Sequence, residues 1–274
     1  VSALLLAAFI GWELRRTDPM LDVRVFRIAR FSAASASVAI AFFGLFGFIF
    51  LITQYFQIVR GYSTLSAGVH TLPFAVGAGV MAPVSARLAL KFGTKVVVTG
   101  GLLLMSAGFW LASTYTATTA YWGPVVIGML LIAAGLTTTT APSTESILGS
   151  LPKEKAGVGS AMNDTTRELG GTLGVAVVGS VFSSIYGPRL VDALKGLPIP
   201  APALAAAKES VQAAVVVAGR APGQAKQVVL DAVSSSFMDG LHAGCRVVGV
   251  ATLLGAVVAA VFLPARAAEA GEQG

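Results

Sequence analysis

"GVGSAMNDTTRELGGTLGVAVVGSVF", residues 157–182, sets two acids and an arginine at the head of a run of small and aliphatic side chains. Asp164, Arg167 and Glu168 stand at i, i+3 and i+4, so on a helix all three share one face. Residues 169–186 then supply about 18 mainly apolar positions, close to the roughly 20 needed to cross ~30 Å of hydrocarbon. The solvent around this stretch decides the fold, and composition identifies it. The 274 residues are 55% hydrophobic and 12% charged, with a mean hydropathy of +0.79. Soluble domains carry about 25% charged residues, and disorder needs low hydrophobicity with high net charge. Both are excluded, which leaves the bilayer as the solvent.

Working outward, six spans are expected, at 31–56, 64–86, 95–115, 122–148, 158–186 and 237–263. The opening "VSALLLAAFIG", 1–11, is apolar over half a span and has no basic region of a signal peptide. It reads as the end of a transmembrane helix cut in half, so the chain is expected to be a piece of a longer polytopic protein. Residues 12–30 are expected as a cytoplasmic linker, 31–186 as five spans, and 187–236 as a long extracytoplasmic loop. The last span, 237–263, precedes a cytoplasmic tail, 264–274. Within the long loop "VQAAVVVA" is too short to span. Two Ala-rich helices at the outer surface or a flexible loop are both open readings there.

Basic residues alternate in number between successive loops. One side holds Arg15, Arg16, Arg24, Arg27, Arg30, Arg87, Lys91, Lys95, Lys153, Lys155 and Arg266, whereas the short loops opposite hold only Arg60. An excess of Lys and Arg in short loops marks the cytoplasmic face, so the C-terminus is expected inside. The net charge of +6 then belongs to these loops, and no nucleic-acid partner is implied. Cys245 is the single cysteine, which rules out an intramolecular disulfide. No GxSxG, HExxH, Walker loop or paired-cysteine metal spacing appears. Neither an enzyme nor a cofactor is therefore expected.

Three segments, "FLITQYFQIVRGYSTLSAGVHTLPFAVG", "SARLALKFGTK" and "LPKEKAGVGSAMNDTTRELGGTLGVAVVGSVF", carry a resemblance. They resemble the second half of the 14-span drug:proton antiporters of the major facilitator superfamily. In the last segment Gly157, Gly159, Asn163, Arg167, Leu169, Gly170 and Gly174 stand in that family's order, and "DPMLDVRVFRIARF" resembles its linker. The resemblance implies an all-α polytopic fold: a six-helix C-terminal bundle plus the end of a preceding helix. It also implies a proton-coupled exporter of amphipathic or cationic small molecules, working by alternating access in a bacterial cell membrane. Its partners would be the substrate, protons, the lipid bilayer and the missing N-terminal bundle. The family's inter-helix loop motif falls on Arg87, Lys91 and Gly93. Ala86 stands where the family has a glycine and Leu90 where it has the acid that latches a helix end.

Asp164, Arg167 and Glu168 admit two placements. They line a water-filled cavity, where they couple protons or gate, or they lie among the inner headgroups with the hydrocarbon starting at Leu169. Glu145 enters at similar depth on the preceding span, and an interhelical Glu145–Arg167 pair would neutralise both charges. Gln54 and its counterpart Asn163 are candidates for hydrogen bonds to a substrate, or for bonds between helices. Phe46 and Phe50 share a face and are candidate cavity aromatics, with lipid contact as the alternative. His70 and His242 are expected at the outer interface. Two other readings stay open: a narrow-substrate exporter of a lipid, siderophore or antibiotic, and a membrane scaffold that transports nothing.

Overall fold

The computed structural model of the protein describes residues 2–13, 15, 23–152, 155–220 and 224–264. The expectations for Arg16, for linker residues 17–22, for Lys153 and for the tail 265–274 with Arg266 lie outside the described residues. Among the described residues every regular element is helical. In hydrocarbon each backbone N–H and C=O must be satisfied within its own segment, and an apolar run meets that requirement by coiling.

The helices are α1 (Ser2–Glu13), α2 (Ala29–Gln54), α3 (Thr64–His70), α4 (Leu72–Phe92), α5 (Thr94–Ala112), α6 (Val126–Leu148), α7 (Ala156–Ala193), α8 (Ala201–Glu209), α9 (Val211–Arg220) and α10 (Gln224–Phe262). Six segments are long and apolar enough to cross a membrane: Ala29–Val59, Thr64–Phe92, Thr94–Ala112, Tyr121–Leu148, Ala156–Ala193 and Ala225–Phe262. A π-helical turn, Tyr55–Val59, extends α2, and a kinked turn, Tyr121–Val125, leads into α6.

Glycine contacts give the relative directions of the helices. Gly170 and Gly174 of α7 meet Ala39 and Phe43 of α2, so those two helices run parallel. Gly77 meets Leu130 and Ser85 reaches the Thr137 carbonyl, so α4 and α6 are parallel as well. Gly101 lies against Thr138 while Gly108 lies against Ile132, which makes α5 antiparallel to α6. Gly244 meets Leu51 and Gly255 meets Ile40, so α10 is antiparallel to α2. This alternation of direction is what a chain threading repeatedly through a bilayer requires.

The core sits where α2, α5, α6 and α10 converge, around Phe31, Leu102, Met105, Phe109, Ile132 and Val248. The remaining two spans are less covered. Only 11% of the spanning window of Thr64–Phe92 is buried, and 33% of that of Ala156–Ala193. Both expose an apolar flank, Val76 and Val80 on α4, Leu169 and Leu173 on α7.

Two boundaries differ from the sequence reading. The long loop was expected to begin at 187 and end at 236, yet α7 continues to Ala193 and α10 already starts at Gln224. The extra turns bury Leu190 from α7 and Val229, Ala232 and Val233 from α10. Arg189 in the α7 extension pairs with Asp239 of α10 at 3.5 Å. The short α8 and α9 pack on each other and on these extensions, burying Ala207, Ala214 and Ala218. Carbonyl oxygens hold the two histidines. His70 Nδ1 donates to the Ser66 carbonyl at 2.7 Å between the rings of Tyr62 and Tyr121, and His242 Nε2 lies 2.6 Å from the Tyr115 carbonyl. The His242 contact ties α10 to the turn after α5, while the His70 bond stays within α3. Tyr115 itself donates to the Pro124 carbonyl at 3.0 Å, and burial raises its phenol pKa well above the ordinary value.

Candidate functional site

The charged stretch forms the third and fourth turns of α7. On a helix whose one face carries Gly170, Gly171 and Gly174, that face can lie directly on α2: a Cβ at Gly170 would collide with the Ala39 carbonyl oxygen, and one at Gly174 with that of Phe43. This close seating turns Asn163 inward, where it is 4% exposed, and leaves Asp164 and Glu168 on the outer side. Arg167 sits between, half-buried.

Three contacts hold Arg167. Its Nη1 is 3.7 Å from Asp164 Oδ1, and its Nη2 donates to Thr144 Oγ1 of α6 at 3.3 Å. Thr144 Oγ1 in turn lies 3.5 Å from Asn163 Oδ1. The guanidinium stands 5.3 Å over the ring of Phe42 on α2, a contact worth about 0.5–2 kcal/mol. Arg167 Nε is buried and takes no hydrogen bond. The Asp164 side chain is 67% exposed, so this ion pair is a weak anchor in water and a strong one only where water is excluded. The cluster thus ties α7 to α2 and α6 through one cation whose carboxylate partner faces out of the bundle.

The proposed Glu145–Arg167 pair does not form among the described residues: Arg167 pairs with Asp164 and takes the neighbouring Thr144. Glu145 is exposed, one residue further round α6. Gln54 and Asn163 are not brought together either. Asn163 is level with Ser32 in the α2–α7 register, so Gln54 lies about 33 Å further along the pair. The Gln54 amide instead donates to the Phe50 carbonyl on its own helix at 3.2 Å. Phe46 is 37% exposed beside Gly171 and 6.5 Å from the Phe42 ring, while Phe50 is half-buried edge-on to Phe182. Phe42, Phe46 and Phe50 therefore form one ridge of α2 along α7. Arg87 and Lys91 are exposed at the end of α4, and Gly93, at φ +83°, makes the one-residue turn into α5.

Beyond the cluster, the exposed side of α7 carries two parallel i+4 rows. One reads Asp164, Glu168, Thr172, Ala176, Ser180, Ser184 and is polar or small throughout. Its neighbour reads Thr165, Leu169, Leu173, Val177 and turns apolar after one residue. All ten are exposed.

Sequence reasoning did not single out Thr144, Phe42 or Arg30. Arg30 Nε donates to the buried Ser146 Oγ at 3.0 Å and so ties the start of α2 to the end of α6. The one available signal was the hydroxyl-rich end of α6, "TTTTAPSTES". Most of the first four threonines spend their hydroxyls on their own helix: Thr137, Thr138 and Thr139 bond back to the carbonyls of Ala133, Ala134 and Gly135. Among the described residues no cluster of His, Cys, Asp and Glu could hold a metal ion.

Six alternating spans with a charged cluster between helices define a multi-pass helical membrane protein. The family description "Major Facilitator Superfamily" matches residues 3–175, and the chain belongs to that family. A tetracenomycin C resistance and export protein of Streptomyces glaucescens is 34% identical over 97% of this chain and 50% of its own length. The multidrug efflux pump LfrA of Mycolicibacterium smegmatis is 29% identical over 93% of this chain and 50% of its own. The methyl viologen resistance protein SmvA of Salmonella typhimurium is 32% identical over 86% and 47%. The chain spans about half the length of these curated bacterial relatives.

Proposed function

We propose that this chain is the C-terminal bundle of a 14-span, proton-coupled exporter of amphipathic or cationic small molecules. A second bundle covers the exposed flanks of α4 and α7, and the substrate moves through a cavity opened alternately to the two faces. The orientation expected from the basic loops, with the C-terminus in the cytoplasm, is part of this reading. The export and resistance functions named for the relatives support the substrate class.

The observation that carries the reading is the polar row of α7. A lipid-facing helix has no use for Asp164, Glu168, Thr172, Ser180 and Ser184 in one line, because each acid alone costs about 2.5–3.5 kcal/mol at mid-bilayer on insertion scales. A water-filled pathway beside that row removes the cost. Asp164 and Glu168 are then the proton-accessible carboxylates, and Arg167 is the fixed cation whose hold on Asp164 a proton releases. Phe46 borders the same surface and offers a ring to a lipophilic cation. α8 and α9 form an extracytoplasmic cap on the ends of α7 and α10.

The full-length protein in proteoliposomes with an internal pH dye tests this. An organic cation such as methyl viologen should drive proton movement in the wild type. Arg167→Ala and Glu168→Gln should reduce it at least tenfold, the equivalent of about 1.4 kcal/mol, with insertion unchanged. Flux equal to wild type in both variants would remove the charged stretch from coupling. Tetracenomycin C driving flux where cations do not would favour the narrow-substrate antibiotic exporter, a reading that the Streptomyces relative supports.

A further inference from the structure

We propose that the turn between α4 and α5, with the groove beside it, is a site for one anionic phospholipid: the phosphate rests against Arg87, Lys91 and Lys95, and an acyl chain fills the groove. The site is independent of the transport reading.

The groove exists because α4 and α5 both pack on α6 far more than on each other. They meet at the Gly93 turn and splay from it, leaving a cavity of about 460 Å³. Met81, Leu88 and Phe92 line it from α4, and Val96, Gly100 and Leu104 from α5. Its floor includes Thr138, whose hydroxyl is bonded to the Ala134 carbonyl at 2.7 Å and so presents no free polar group. Gly100 widens it, since a Cβ there would meet nothing within 4 Å. From Val96 to Leu104 the groove runs about 12 Å at 1.5 Å per residue, most of one ~15 Å leaflet of hydrocarbon.

The charge at its mouth names the occupant. Arg87, Lys91 and Lys95 lie within three successive turns of chain, and no Asp or Glu occurs between Asp22 and Glu145. Among the described residues none of the three makes an ion pair. Glu145, at the same end of α6, reaches none of them, and Lys91 Nζ stands only against the Phe92 ring at 5.2 Å. Leu90 at 90% exposure and Phe92 at 51% flank the lysine. A turn both basic and apolar suits the boundary between headgroup and acyl chain. A free phosphate would leave the groove and Leu90 unused, whereas an anionic lipid uses all of it; basic pockets between membrane helices take such headgroups.

Native mass spectrometry of the full-length protein in detergent, titrated with phosphatidylglycerol or phosphatidylcholine of the same chains, tests this. The wild type should retain phosphatidylglycerol about 5-fold or more over phosphatidylcholine, the effect of roughly one basic side chain at an anionic headgroup. The triple variant Arg87→Gln, Lys91→Gln, Lys95→Gln should lose that preference while still holding either lipid weakly. Gly100→Leu, which fills the groove, should weaken both lipids. Melting temperatures in the same detergent confirm that the variants are folded. Equal retention of the two lipids by the wild type, or an undiminished preference in the triple variant, would overturn the proposal. So would displacement of phosphatidylglycerol by millimolar inorganic phosphate with Gly100→Leu inert, which would leave an anion site without an acyl chain.

Discussion

Gly170 and Gly174 show how much a single absent methyl group decides. Each gives its place to a backbone carbonyl of α2, at Ala39 and Phe43, and the approach sets the rotation of α7. That rotation in turn faces Arg167 to Phe42 and Thr144 and leaves Asp164 outward. Gly174→Ala should therefore destabilise by about 1–3 kcal/mol through overpacking. Gly157→Ala, where a Cβ meets nothing within 4 Å, should be neutral or stabilise by up to ~1 kcal/mol because a helical glycine is replaced. Thermal melts of the purified full-length protein should show Gly174→Ala well below wild type and Gly157→Ala at or above it. Equal melting of the two variants would contradict this account of the seating. The Gly-x-x-x-Gly spacing was readable in the sequence as close packing because both residues belong to one helix. The contact of Arg167 with Thr144 was not, because it depends on the register of α6 against α7. Glu145 and Thr144 are adjacent, and a turn of about 100° between them separates an exposed acid from the hydroxyl that receives the arginine.

At the scale of elements, spans were legible and helix ends were not. Hydropathy reports how deep a residue lies in lipid, and it falls once charges appear. Arg189, Asp192 and Asp231 therefore read as loop although α7 and α10 carry straight through them. The helices persist there because amphipathic turns bury Leu190, Val229 and Val233 against α8 and α9. The cap formed by these pieces has its own small core, with Ala214 and Ala218 fully buried. Ala214→Asp would place a carboxyl group in it without a partner, at a cost of about 1–3 kcal/mol once it is neutralised and more while it stays charged. Limited proteolysis of the full-length protein should then cleave within 187–236 at least ~5-fold faster, since opening is the step destabilised, while the spans stay protected. Unchanged cleavage would mean that α8 and α9 are not held by that core.

For the whole molecule, the account turns on what covers α4 and α7. α2, α5, α6 and α10 bury one another, while α4 and α7 keep open flanks, and the α7 flank divides into a polar row and an apolar row. Membership in the Major Facilitator Superfamily and the half-length match to exporters fit a second bundle placed against those flanks, with water between. The sequence reading left the charged stretch either in a cavity or among headgroups, because three charges at one end of a helix satisfy both. The row extends the question two turns and more past Glu168, to Thr172 and Ala176, where the two placements part. The most direct measurement is therefore the reaction of single cysteines at those positions, in the full-length protein with Cys245→Ser, toward a membrane-impermeant cationic thiol reagent in intact membranes. The account predicts rapid labelling of Thr172→Cys and Ala176→Cys, slowed by transported substrate, and no labelling of Leu173→Cys in the adjacent row. Thr172→Cys and Ala176→Cys as unreactive as Leu173→Cys would contradict it, placing the row in lipid and the charges at the headgroups.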